Sequence, residues 1–186
     1  MHFDFTDDQD VIRDAARRFA HERLAPNYKA YDTQKTFSKE LIHEMGELGL
    51  IGTSLPAEVG GLGQDYLTEG IVMEELARED VNVGYILLLN TLNAGIIAEH
   101  GSREMAAEVL PEIFGGRKIS CLALTEPSAG SDAANIRLKA ERKGALFFLN
   151  SEKTSISMAH QTDTSASCSP SKARRRSALT AYRVSG

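Results

Sequence analysis

A chain of 186 residues, 42% hydrophobic and 25% charged, is long enough to bury a core as one or two soluble domains. Its net charge of −5 argues against nucleic-acid binding, and its two cysteines and five scattered histidines show no zinc-ligand spacing. The acidic opening is neither a signal nor a transit peptide, and the apolar run 83–98 falls short of the about 20 residues a bilayer span needs, so the expectation is a reduced cytoplasmic compartment and no membrane.

Thr6 with Gln9 forms a capping box, and Asp7 and Asp8 suit the positive end of a helix dipole. Ile12, Ala15, Ala16, Phe19 and Ala20 then share one face until Pro26 stops the pattern. A second helix starts at Ser38, turns Leu41, Ile42, Met45 and Leu48 inward, and ends at Gly49. The stretch 55–63 is glycine-rich but lacks GxGxxG and a preceding strand, so it reads as a turn rather than a nucleotide loop. A third helix over 66–78 directs Leu67, Ile71, Val72 and Leu76 inward. A fourth over 83–99 is apolar nearly all round, as a central buried helix is. Ser102 caps a fifth, with Met105, Val109 and Leu110 toward the core and a bend or restart at Pro111.

Near Lys118 the period changes from 3.6 to 2. Residues 119–125 read as a strand, Ile136, Leu138 and Ala140 alternate with charged neighbours, and 146–149 joins back across a hairpin turn at Lys143 and Gly144. A helical domain (1–117) thus passes into the beginning of an antiparallel sheet (118–163). Residues 164–186 show neither period. They hold Lys172, Arg174, Arg175, Arg176 and Arg183, five of the 21 basic residues and none of the 26 acidic ones, so the tail carries +5 and the body −10. A disordered tail is expected there, either a basic arm for an acidic partner or the product of a non-native reading frame.

One segment has an unusual chemical character: Leu122, Ala123, Leu124, Thr125, Glu126, Pro127, Ser128, Ala129, Gly130, Ser131 and Asp132. A strand there enters a turn of small residues, where amides and the Thr125 hydroxyl converge. Two readings stand open: an ordinary strand-to-loop turn, or a site for a planar heteroaromatic ligand or an oxyanion. The run from Thr125 to Asp132 resembles the TEPxAGSD signature of acyl-CoA dehydrogenases. The phrase around Phe5, Thr6 and Gln9, the Leu48–Gly52 and Pro56–Gly61 stretches and Leu110–Gly116 are similar to that family too, over about 3–163.

The resemblance implies an α+β fold: an N-terminal all-α helical bundle followed by an antiparallel β-barrel, incomplete here, and in the intact family a C-terminal four-helix bundle. It implies FAD as cofactor, with the ring against 122–125 and with Leu122, Leu124, Thr125, Ser155 and Ser157 as cofactor-binding residues. Ser131 is implied near the pantetheine–phosphate part of an acyl-CoA substrate. Asn90 and Asn93 would help line an acyl pocket or, equally, sit as polar positions on a buried helix. The implied reaction is α,β-desaturation of a thioester, with hydride passing to the flavin; the family's partners include an electron-transfer flavoprotein and further copies of the same chain. Three positions depart from the pattern: Ser155 stands where many members stack an aromatic, Ser151 replaces the usual turn residues and is expected to strain the backbone, and the chain stops before the segment carrying the catalytic glutamate. No catalytic residue is assigned. A fragment of the desaturase family and a non-catalytic helical interaction module on the same scaffold are the two functional expectations.

Overall fold

The computed structural model describes residues 4–144, 146–159 and 161, and gives the backbone alone for 146–147, 164–167 and 180–182. Six α-helices precede the first strand. The first, α1 (Asp7–Phe19), starts at the expected capping box: Gln9 N–H donates to Thr6 Oγ1 at 3.2 Å and Thr6 N–H to Gln9 Oε1 at 3.1 Å. The chain widens into a π turn over Ala20–Leu24, and after Pro26 runs α2 (Tyr28–Gln34), a short helix absent from the periodic reading. Its seven residues bury no side chain, so no apolar stripe signals it.

Ser38, Asp65, Asp80 and Ser102 cap α3 (Lys39–Glu47), α4 (Tyr66–Glu79), α5 (Val81–His100) and α6 (Arg103–Phe114). Each supplies an oxygen to an amide that the first helical turn leaves open. The core gathers around α5, where Ile86, Leu87, Ala94 and Ile97 belong to one cluster with Val72, Leu76, Leu110 and Ile113. Ala16, Phe19, Ile42 and Met45 complete it. At 20 residues and mean hydropathy 1.5, α5 is long and apolar enough by composition to cross a bilayer, unlike the shorter run the sequence suggested. More than half of it is buried inside the protein, the place of a core helix.

Three helical expectations are corrected. Leu48 is 55% exposed, because the helix ends there and Gly49, at φ +70°, turns the chain away. Leu67 is 56% exposed. The buried stripe of α4 includes Thr68 and Glu75, polar groups satisfied by Asp65 and Arg17, so the stripe is rotated and Leu67 falls at its edge. Pro111 does not restart α6, which is continuous through it. Ala107 is exposed, so the carbonyl that loses its partner faces water.

The first strand, β1 (Ser120–Ala123), is followed by a hairpin of β2 (Ala140–Lys143) and β3 (Leu146–Leu149) turning at Gly144, φ +65°. The next two strands lie where a disordered tail was expected: β4 (Thr164–Ser167) pairs with β1, and β5 (Thr180–Tyr182) pairs with β4. An open edge on β1 presents unpaired amides and carbonyls, to which the Thr164–Ser167 backbone bonds. The other residues of the tail, including the basic ones, lie outside the described residues. The sheet is not wholly antiparallel, since β1 and β4 run parallel. The connection of about 40 residues between them is long enough for the crossover that parallel pairing requires.

The helical body grips the sheet at one buried point. Ser120 N–H donates to Asn90 Oδ1 at 2.9 Å, and Asn93 Nδ2 donates to Ser120 Oγ at 3.0 Å. Both asparagines are fully buried, so α5 fixes where β1 begins.

Candidate functional site

Beyond Ala123 the chain runs through half-buried Leu124 and Thr125 into a tight turn. Glu126 and Ala129 exchange main-chain hydrogen bonds of 3.0 Å in both directions, so Pro127 and Ser128 form the tip. Glu126 is 5% exposed and its carboxylate is the hub of the region. Oε2 accepts from Arg137 N–H at 2.7 Å, and Oε1 accepts from Leu138 N–H, Ser151 Oγ and Lys153 Nζ, each at 3.0 Å. These bonds, the Arg137 amide foremost, outweigh the cost of desolvation and hold the Glu126 carboxyl down to about 2.

That hub explains a corrected expectation. Ile136 and Leu138 are buried as the alternation suggests, but Arg137 and Leu138 spend their amides on Glu126, and the chain there follows a 3₁₀ turn at Ala133–Asn135 rather than joining a strand. Glu126 stands in the sequence motif without a role, and Lys153 was not singled out from the sequence. The usable signal was an acid at a strand end with a lysine later in a polar segment, and no periodic rule joins residues 27 apart.

Lys153 Nζ also donates to the Leu124 carbonyl at 2.9 Å, and Thr154 N–H donates to the Thr125 carbonyl at 3.0 Å. The 151–157 segment is thereby laid against the strand end. Both carbonyls are spent on this contact, so the groups that Thr125 keeps for a ligand are its N–H and hydroxyl, neither of which has a hydrogen-bond partner among the described residues. Leu122 lies inside β1, paired with Ala166.

Ser157 is half-buried, with Oγ 3.3 Å from Tyr85 Oη on α5, and Met158 packs against the helical core, so the segment is pinned at its far end as well. Between those anchors Ser155 is exposed and takes φ +55°, and Met158 takes φ +64°. The strain expected at Ser151 is absent; Ser151 has no positive φ and spends its hydroxyl on Glu126. Leu122, Leu124, Thr125, Ser155 and Ser157 are thus brought into one region by the Glu126 hub and the Tyr85 contact. Ser131 stands apart on the exposed loop after the turn. Asn90 Oδ1 and Asn93 Nδ2 are bonded to Ser120, as in the reading of polar positions on a buried helix, while Asn90 Nδ2 and Asn93 Oδ1 have no partner among the described residues.

On the helical body, α4, α5 and the 54–59 loop line an open cavity of 730 Å³. The glycine-rich loop that shapes it depends on close approach: a Cβ on Gly61 would collide with the Leu55 carbonyl.

Residues 6–117 match the profile described as acyl-CoA dehydrogenase, N-terminal domain. The mitochondrial isobutyryl-CoA dehydrogenase of Dictyostelium discoideum is 34% identical over 152 residues, which are 82% of this chain and 36% of that protein. The structure of a glutaryl-CoA dehydrogenase from Mycobacterium smegmatis in complex with FADH2 is similar at TM-score 0.84 and 30% identity, over 89% of this chain and 43% of that one. Butyryl-CoA dehydrogenase from Megasphaera elsdenii is similar at TM-score 0.83 and 29% identity, over 98% and 49%. The chain spans about 36% of the length of that first curated relative and under half of each of the two solved chains.

Proposed function

Because the chain belongs to the acyl-CoA dehydrogenase family, we propose that it forms the flavin-facing wall of a site for α,β-desaturation of an acyl-CoA thioester. The observation that carries this reading is the state of Thr125. Its carbonyl is tied to Thr154, while its N–H and hydroxyl are left without partners among the described residues at the end of a held strand. Two such donors fit the nitrogen and carbonyl acceptors on the edge of an isoalloxazine ring. When bound, FAD supplies the acceptor for the hydride that leaves the β-carbon.

Every other contribution is positional. Thr125 donates two hydrogen bonds to the ring edge, and their fixed direction favours charge gathering there. Glu126 and Lys153 hold the Leu124–Thr125 backbone so that these donors are aimed before the ligand arrives. Ser157, held near Tyr85, and Ser155 flank the same site; Ser131 is assigned to the acyl-CoA side, toward the pantetheine–phosphate arm. Glu126 is a positioning residue and no general base, because both its oxygens are occupied and its carboxyl is held at about 2, too low to take up a proton. Transfer of electrons to an electron-transfer flavoprotein and assembly with further copies of the chain belong to the same reading.

Titration of the full chain with FAD, followed by flavin fluorescence, tests it. Saturable binding is expected, weakened roughly fivefold to tenfold in Thr125→Ala by loss of about 1 kcal/mol for one hydrogen bond. Absence of saturable binding would leave the helical scaffold as an interaction module.

A further inference from the structure

Ser155 and Met158 are two of the three residues other than glycine that take positive φ among the described residues, and they stand on either side of Ile156 and Ser157. Backbone of this kind persists only where its surroundings hold it. Main-chain bonds hold the two ends of the stretch: Thr154 N–H donates to the Thr125 carbonyl, and the Met158 carbonyl accepts from Gln161 N–H at 2.9 Å. Between those ends a side chain is held as well. The Ser157 hydroxyl has Tyr85 Oη, at 3.3 Å, as its hydrogen-bond partner among the described residues.

Tyr85 stands on a more rigid element. At Gly84, α5 comes so close to α4 that a Cβ there would meet the Cβ of Ala77 at 2.7 Å. Ile86 and Leu87 are buried in the common core, and Asn90 is bonded to the start of β1. The Tyr85 ring itself is 44% exposed and is no part of that core, and its hydroxyl has Ser157 as its partner among the described residues. Groups carried on a packed helix are placed more precisely than groups on a loop.

The direction of the bond follows from the two hydroxyls. A phenol is a stronger hydrogen-bond donor than an alkyl alcohol, so the favoured arrangement has Tyr85 donating and Ser157 Oγ accepting. The proton of Ser157 then points away from Tyr85, and a hydroxyl that accepts one bond donates the next more strongly.

We propose, resting on the desaturase reading above, that Tyr85 is a positioning residue for the flavin site: by donating to Ser157 it fixes the serine hydroxyl and turns its proton toward the ring. A donor so aimed favours the ring with more charge at its edge, so reduced FAD gains more from it than oxidised FAD.

Tyr85→Phe removes the hydroxyl and keeps the ring. At an exposed position the fold is expected to be unchanged, with the urea midpoint as the check. FAD affinity and the midpoint potential of the bound flavin are then read on the full chain for the unmodified protein, Tyr85→Phe, Ser157→Ala and the double variant. Tyr85→Phe is expected to weaken FAD binding about threefold and to lower the potential by about 14 mV, a threefold smaller preference for reduced FAD in a two-electron couple. Ser157→Ala should lower both at least as far, and adding Tyr85→Phe to it should change nothing further, because Tyr85 acts through that hydroxyl. A potential unchanged in Tyr85→Phe or in Ser157→Ala, or losses that add in full in the double variant, would overturn the assignment of Tyr85 and leave the flavin reading standing. Absence of saturable FAD binding in the unmodified chain overturns the flavin reading and the assignment with it.

Discussion

Helices α1, α3, α4, α5 and α6 each begin where a Ser, Thr or Asp side chain caps the first turn, and each is held by apolar residues at helical spacing. From Ser120 to Ser157 the order rests on different contacts. There Asn90 and Asn93 hold the start of β1, Glu126 gathers Arg137, Leu138, Ser151 and Lys153, and Tyr85 lies against Ser157. Burial of a continuous core makes the helical region cooperative. Directional bonds from a few polar side chains make the second region an aimed surface with a small core of its own, Ala129, Ile136 and Leu138.

The contrast predicts where damage spreads. Leu76 is fully buried in the helical cluster, so Leu76→Ala is expected to destabilise the chain by about 2–5 kcal/mol through lost transfer energy and a residual cavity. Urea unfolding checks it: the midpoint should fall with little change in slope, as expected if the body unfolds as one unit. A drop below about 1 kcal/mol would mean that the helices do not share one core.

The same contrast explains what the sequence made legible. The side-chain caps and apolar stripes are local, so α1, α3, α4, α5 and α6 could be read with ends nearly correct, while α2, with no buried side chain, could not. The hairpin of β2 and β3 was readable because Gly144 sits between an alternating run and a short apolar one. Thr125 and the serines around it were singled out through resemblance to a family motif. Glu126 was quoted in that motif without its function, because its partners lie 11 to 27 residues away and are two main-chain amides, one hydroxyl and one ammonium that no spacing rule connects. The return of β4 alongside β1 was missed because its small polar residues carry no burial pattern in the sequence.

Breaking the Glu126 hub should therefore damage the aimed surface and spare the helical core. In Glu126→Gln, at least one of the groups now bonded to a full carboxylate faces an NH2 instead, so protease cleavage and amide exchange are expected to rise over 124–154 with the helical signal preserved. Acid provides the same test without mutation. The Glu126 carboxyl is lowered from 4.5 to about 2, so its stabilising contribution is complete above about 4.5 and is lost as pH falls toward 2. Protection over 124–154, taken against the intrinsic exchange rate at each pH, should fall in that window in the unmodified chain, and flavin binding should weaken with it. A hub region as protected at pH 2.5 as at pH 6 would contradict the role given to Glu126.

The smallest effect sharpens the comparison from the helical side. Thr6→Ala removes the acceptor for Gln9 N–H and leaves half of the capping box, at a typical cost of about 1 kcal/mol. Gln9 is not an isolated cap residue, because its side-chain amide also donates to Thr68 on α4 at 3.3 Å, and Thr68 is bonded to the Asp65 cap. Fraying of α1 should therefore loosen the start of α4, and amide exchange should rise at both helix starts in Thr6→Ala. Thr6→Ser keeps the hydroxyl and should restore protection at both. Exchange confined to the first turn of α1 would show that the two helices are coupled through apolar packing alone, and that the Gln9–Thr68 bond transmits nothing.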